Sequence, residues 1–146
     1  WFNYFNEKMN FIYDLEFKVR DYECDLQGIV NNANYQHYLE HTRHEFLLTH
    51  NVSFAQLHDE GIDVVVARVD IAYKHPLKSG DKFTSKLALA HEGIKYTFYQ
   101  YIYRLPDMQL CVRAKTDCVA SENGKLSQCK KLDDLIENIL QKQPCL

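Results

Sequence analysis

The chain is poor in the residues that interrupt regular structure, with five glycines and three prolines, scattered rather than clustered, among 146 residues. No Pro/Gly/Ser-rich linker, internal repeat or low-complexity segment appears, so one domain over residues 1–146 is expected, a length that buries one core rather than two. No apolar run approaches the roughly 18 residues of a membrane span, which leaves no helical span to propose. An excess of one charge is missing too. The formal net charge is −3 and no basic cluster is interleaved with aromatics, so nothing points to nucleic acid as a partner. The five cysteines, Cys24, Cys111, Cys118, Cys129 and Cys145, are odd in number and form no CxxC pair; reduced thiols in a cytoplasmic protein are expected. The opening WFNYFNEKMNF has no basic start followed by an apolar run, as a signal peptide would. Residues 1–8 read either as native sequence or as a leader or remnant ahead of Met9.

Aromatic residues, by contrast, are plentiful: ten tyrosines and eight phenylalanines suggest wide, half-buried sheet faces or a subunit interface. Residues 15–22 alternate, with Leu15, Phe17 and Val19 against Glu16, Lys18 and Arg20, which predicts a half-buried strand. A long helix follows, and Ser53 caps a short one over FAQLHDE, ended by Gly61. Beyond Gly61 the period changes to two: strands are predicted over 62–74, 82–91, 94–105 and 110–121. HPLKSGD, Gly93 and Pro106-Asp107 supply turns, and Asn123-Gly124 is the strongest hairpin signal. Residues 131–142 close the chain as an amphipathic helix. One strand, a long helix and a run of antiparallel strands predict an α+β architecture: a curved antiparallel sheet wrapped around the helix over 35–49. Such a sheet leaves an edge and a face uncovered, so a homodimer or homotetramer is expected, with the aromatic strand over 95–105 covered by a second copy.

The stretch from 21 to 51, DYECDLQGIVNNANYQHYLEHTRHEFLLTHN, organises the rest. Tyr35, Tyr38, Leu39, Thr42 and Phe46 fall on one stripe at about 100° per residue, as a helix lying on a sheet requires. Asn31, Asn32 and Asn34 crowd its start, where short side-chain oxygens accept orphan backbone N–H bonds. Asp25 and Gly28 occupy the turn just upstream. A carboxylate beside a helix N-terminus can do chemistry, because the exposed N–H groups can hold a developing oxyanion while the carboxylate acts as base or nucleophile.

Asp25, Gly28, Ile29, Val30 and Tyr35 form the pattern D-x-x-G-I-V-x-x-x-x-Y, followed by Y-L-E-H-T-R on the helix. With RVDIAYKHPLKSGD over 68–81, this resembles the hot-dog fold acyl-CoA thioesterases of the 4-hydroxybenzoyl-CoA thioesterase-like family, in register over roughly 17–120. The resemblance implies a hot-dog fold and a thioesterase releasing a free acid and a thiol. By position it implies that Asp25 is the catalytic carboxylate and that the Asn32 backbone N–H polarises the thioester carbonyl. It further implies that Gly28 lets the acyl group approach, with Ile29, Val30 and Asn31 beside it, and that Tyr35 packs behind the site. Ile29 follows the 4-hydroxybenzoyl-type pattern, whereas the Asn31-Asn32 pair resembles a branch that includes acyl-ACP thioesterases; acyl-CoA and acyl-ACP both stay open as substrate. No cofactor is implied, since a thioester is already activated, and the site in this fold usually lies between protomers.

Alone, Asp25 would read as a turn aspartate; with Gly28, the asparagines and Tyr35 at family spacing, catalysis is the better reading. Asp21 and Glu23 read as solvated strand-end charges. Another hot-dog branch uses a helix glutamate, but Glu40 projects away from the apolar stripe and ranks below Asp25. Cys24 has no evident histidine partner and reads as a small core residue. His37, His41 and His44 share a helix face that could bind a metal but reads as a solvated or interface face. Tyr96, Tyr99, Tyr101 and Tyr103 fall on both faces of one strand, as packing alone would produce. Lys74, Lys95, Arg113 and Lys115 are candidates to meet CoA phosphates. Two competing functions stand beside hydrolysis: binding of an acyl carrier or acyl group without turnover and, more weakly, dehydration, for which no His–Glu pair is evident.

Overall fold

In the computed structural model, which describes residues 9–142, strand β1 (Tyr13–Lys18) leads through a tight turn to helix α1 (Asn32–Thr49). Short helix α2 (Phe54–Asp59) and strands β2 (Ile62–Tyr73), β3 (Lys82–Glu92), β4 (Lys95–Leu105) and β5 (Gln109–Glu122) follow. A two-residue strand β6 (Lys125–Leu126) and helix α3 (Lys130–Lys142) complete it. Residues 1–8 and Cys145 lie outside the described residues.

All strands belong to one antiparallel sheet in the order β1-β3-β4-β5-β2, with β6 paired to β5. Strands β3, β4 and β5 form a meander, while β2 pairs with β5 rather than with its chain neighbour β3. This crossover lets the sheet curl around α1. Phe46, Thr42 and Leu39 on α1 are almost wholly excluded from solvent, as are Phe83, Leu87 and Ile102 on the strands beneath. Burying one such side chain contributes about 1.5–3 kcal/mol, so the stripe by itself explains why α1 lies on the sheet. Thr42 keeps its hydroxyl satisfied through the Tyr38 carbonyl at 2.8 Å and the Ser85 hydroxyl at 2.9 Å.

α1 begins earlier than its apolar stripe because Asn31 caps it, accepting the Ala33 N–H at 2.9 Å. Ser53 caps α2 by accepting from Gln56 N. Asn123 and Gly124 both adopt positive φ, 53° and 82°, the backbone of a two-residue hairpin turn between β5 and β6.

Two expectations are corrected. The first strand ends at Lys18, and Asp21–Glu23 form a 3-10 turn instead of continuing it. Glu23 is therefore buried, not solvated: its carboxylate turns back to accept the Arg20 N–H at 2.8 Å. The aromatic strand β4 is not an edge strand. It lies in the middle of the sheet, hydrogen-bonded on both sides, with Tyr99 and Tyr101 buried and the Phe11 ring 5.1 Å from that of Tyr101. The sheet's edge strands are β1 and β2, and β2 exposes Val65, Val66, Val69 and Tyr73.

Candidate active site

Residues 24–30 form a tight hairpin closed by a bridge between Cys24 and Val30. The Asp25 N–H donates to the Ile29 carbonyl at 2.9 Å, and the Gly28 N–H to the Asp25 carbonyl at 3.0 Å. Gly28 has φ +79° with open space where a Cβ would stand, so the position requires glycine for its backbone conformation rather than for room. Asp25 is exposed at the tip, and its Oδ1 accepts the Gln27 N–H at 2.9 Å.

The hairpin is tied to its surroundings on two sides. The Val30 N–H donates to the Leu77 carbonyl at 2.9 Å, Ile29 bridges Lys78, and the Leu77 N–H donates to the Tyr35 hydroxyl at 3.1 Å. On the other side, the Glu23 carbonyl receives the Asn31 N–H at 3.0 Å and the Asn34 side-chain amide at 2.7 Å. Val30 and Tyr35 are buried behind the turn; Asp25, Gly28, Asn31 and Asn32 face outward, and Ile29 is half-buried.

At the start of α1 the backbone donors are unevenly used. The Ala33 N–H is held by Asn31 Oδ1 and the Asn34 N–H by the Asn31 carbonyl, whereas the Asn32 N–H meets no acceptor among the described residues. A free N–H at the positive end of an eighteen-residue helix can hold a carbonyl oxygen as it gains charge. The Tyr73 hydroxyl reaches the Asn32 carbonyl at 3.4 Å, so the end of β2 also touches this helix start.

Other candidates fall elsewhere. Cys24 is half-buried, and burial together with Asp21, Asp25 and Glu23 raises its thiol pKa, opposing thiolate formation. The three helix histidines separate: His37 and His41 border a groove of about 950 Å³ beside β1, and His44 a groove of about 340 Å³ beside β2. Among the described residues no group of three or more His, Cys, Asp or Glu converges as metal ligands. Glu40 lies on the His44 side, 3.7 Å from its Nε2. Of the proposed phosphate ligands, Lys95, Arg113 and Lys115 share the sheet face turned away from α1, since Arg113 and Lys115 alternate with the core residues Val112 and Ala114. Lys74 follows Tyr73, whose hydroxyl reaches the Asn32 carbonyl, and its own N–H is bonded to the Cys111 carbonyl at 2.7 Å.

Sequence reasoning missed Glu23 and the pair Arg43–Gln100. Gln100 is fully buried in the aromatic strand, donating to the Leu39 carbonyl at 2.9 Å and accepting from Arg43 at 3.0 Å. Its signal was available: a lone amide on the inward face of YTFYQYIY.

Residues 19–139 match the thioesterase-like superfamily. The acyl-acyl carrier protein thioesterase ATL3 of Arabidopsis thaliana, a chloroplastic protein, is 34% identical over 116 residues, which cover 79% of this chain and 61% of that protein. The chain thus spans about three fifths of the length of the plant relatives it matches. A putative esterase of Aquifex aeolicus is 36% identical over 124 residues, covering 84% of this chain and 94% of its own. A 1,4-dihydroxy-2-naphthoyl-CoA thioesterase from Synechocystis superposes with a TM-score of 0.80 at 17% identity, over 87% of this chain and 96% of that one. That likeness establishes the curled sheet around a helix as the hot-dog fold. On the match across most of its length, the chain belongs to the thioesterase-like superfamily.

Proposed function

We propose that the protein hydrolyses acyl thioesters, with Asp25 and the Asn32 N–H as the reacting groups. The observation that carries this reading is the single unpaired donor at the start of α1, one short turn after an exposed carboxylate. The thioester carbonyl oxygen accepts from the Asn32 N–H. Asp25 either takes a proton from the attacking water or attacks the carbonyl itself, giving a mixed anhydride that water opens. Both routes break the C–S bond and release the thiol and the free acid. The name of the plant relative favours acyl-ACP, and that of a Bacillus subtilis relative, a putative acyl-CoA thioesterase at 29% identity, favours acyl-CoA. Free thiols at Cys24, Cys111, Cys118 and Cys129 fit a reducing, cytoplasmic setting.

Assembly is part of the proposal. Strand β2 presents an unpaired edge with four exposed apolar side chains, and pairing with β2 of a second copy would cover it and roof the groove beside α1.

The competing reading, binding without turnover, draws on the Asp25 Oδ1 contact to Gln27, which a purely structural turn aspartate would also make. A panel of acyl-CoA and acyl-ACP thioesters of graded chain length, assayed for released thiol, separates the two. Thiol release supports hydrolysis; tight binding of the same panel with no release selects the binding protein.

A further inference from the structure

Asn32, Gln36, Glu40 and Arg43 recur at helical spacing along one line of α1. Gln36, Glu40 and Arg43 border the groove of about 340 Å³ between α1 and the strands β2, β4 and β5, whose wall is apolar at Leu39, Val64, Val66 and Phe98 and carries a second carboxylate at Asp63. The groove begins at Gln36, one turn beyond the Asn32 donor on the same line of the helix. Its floor carries one cation.

Arg43 is half-buried there. Its guanidinium donates to Gln100 Oε1 at 3.0 Å and stands 5.8 Å from the Phe98 ring centroid. No carboxylate among the described residues lies within ion-pair distance of it; Glu40, on its own helix, favours its charge from further off and is 3.7 Å from His44. A guanidinium has five N–H donors; one is held by Gln100, and the nitrogens not bonded within the protein stay accessible from the groove, while burial lowers the pKa of the group. Gln100 orients the group, because its own amide is locked to the Leu39 carbonyl inside the core. The arrangement is an oriented cation with donors open to the groove.

We infer that Arg43 is a specificity-determining residue that receives an oxygen function carried on the acyl group. The inference rests on the thioesterase reading and deepens it, naming acyl groups that bear a carboxylate, hydroxyl or oxo oxygen away from the thioester. Their position follows from the helix. Arg43 is about 16 Å along the axis from Asn32, and its side chain leans back toward the helix start by about one turn. The remaining span, roughly 11 Å, is that of an extended chain of about eight or nine carbons.

The test compares octanoyl-, ω-hydroxyoctanoyl- and octanedioyl-CoA, and the decanoyl series likewise, on the wild-type protein, Arg43→Met and Arg43→Lys. We expect wild-type kcat/KM to favour one oxygenated series over the plain one by about tenfold or more, as sites built to hydrogen-bond a substrate group do. Arg43→Met should bring that ratio to about one or below, and Arg43→Lys should keep part of it. Which arm responds distinguishes an anionic from a neutral oxygen. Equal or better turnover of plain acyl groups by the wild type overturns the inference and leaves the thioesterase reading intact. So does an Arg43→Met loss of the same factor on every substrate, the mark of a purely structural arginine. Should Arg43→Met not fold, the wild-type ratio and Arg43→Lys decide. If no thioester releases thiol, the thioesterase reading fails instead, and calorimetric affinities of the same acyl-CoAs for the same proteins decide the Arg43 inference by the same ratio.

Discussion

Asp25 has two demands on one carboxylate: Oδ1 holds the Gln27 N–H, while the proposed reaction needs the negative charge. Asp25→Asn keeps an acceptor oxygen of nearly the same size, so the turn should survive with stability little changed. It removes the charge. A fall in kcat of about 100-fold or more is expected, with acyl-CoA binding retained. Steady-state kinetics with Glu40→Gln in parallel check this; a far smaller fall is expected there, and the reverse ranking would move the catalytic carboxylate onto the helix. Glu23 makes a different kind of prediction. Glu23→Ala leaves the Arg20 N–H without its acceptor beside a buried turn, and a loss of about 1–3 kcal/mol is expected in denaturant unfolding, read from the midpoint at constant slope.

Helix α3 shows how an element far from the candidate site is held. Leu132, Ile136 and Ile139 are buried against the same cluster as Phe46 and Leu87. At the rim, His91 at the end of β3 aims both ring nitrogens at acceptors: Nδ1 at Glu137 Oε1, 2.9 Å away, and Nε2 at the Gly93 carbonyl, 3.0 Å, and Asp133 Oδ1, 3.2 Å. Only an imidazolium donates from both nitrogens. Burial opposes that charge, but the hydrogen bonds to Glu137 and Gly93 and the charges of Asp133 and Glu137 outweigh it and raise the pKa. The Tyr96 ring stacks on His91, and its hydroxyl donates to Asp133, with burial and that carboxylate raising its own pKa. A folded-state pKa raised above the unfolded value of about 6.5 gives stability fully present below that value and lost as pH rises through the folded one. His91→Gln should therefore cost most near pH 5–6 and progressively less in alkaline buffer. Amide exchange of α3, compared between the two proteins across that range, reads the difference directly; a gap that grows with pH would be the wrong sign.

At the scale of the molecule, the crossover that places β2 at the edge also places its exposed apolar side chains beside the groove. Val65 on that strand is about half exposed and lies on the face opposite the groove-lining Val64 and Val66. Val65→Lys puts a charge where the proposed second copy would pack, outside the groove, the device by which sheet edges avoid pairing. Sedimentation should show the wild type as at least a dimer and the variant shifted toward monomer, with kcat/KM falling along with the dimer fraction. A wild-type monomer that is fully active at assay concentration would remove both the interface and its link to activity.

Much of this protein was legible in its sequence, for local reasons. Period-two alternation marks β2 to β5, the apolar stripe marks α1, and Asn123-Gly124 marks its hairpin, because each signal depends on neighbours a few residues apart. The turn holding Asp25 and Gly28 and the asparagine-rich helix start are local as well, and they carried the family resemblance. Tertiary structure decided the rest. Strand order depends on which strand β5 selects as its second partner, a long-range choice that put β2 rather than the aromatic β4 at the edge. Glu23 reads as a surface charge until the chain turns at Asp21 and buries it. Arg43 and Gln100 are far apart in sequence, and only the curl of the sheet around α1 brings a guanidinium against a buried amide at the floor of a groove.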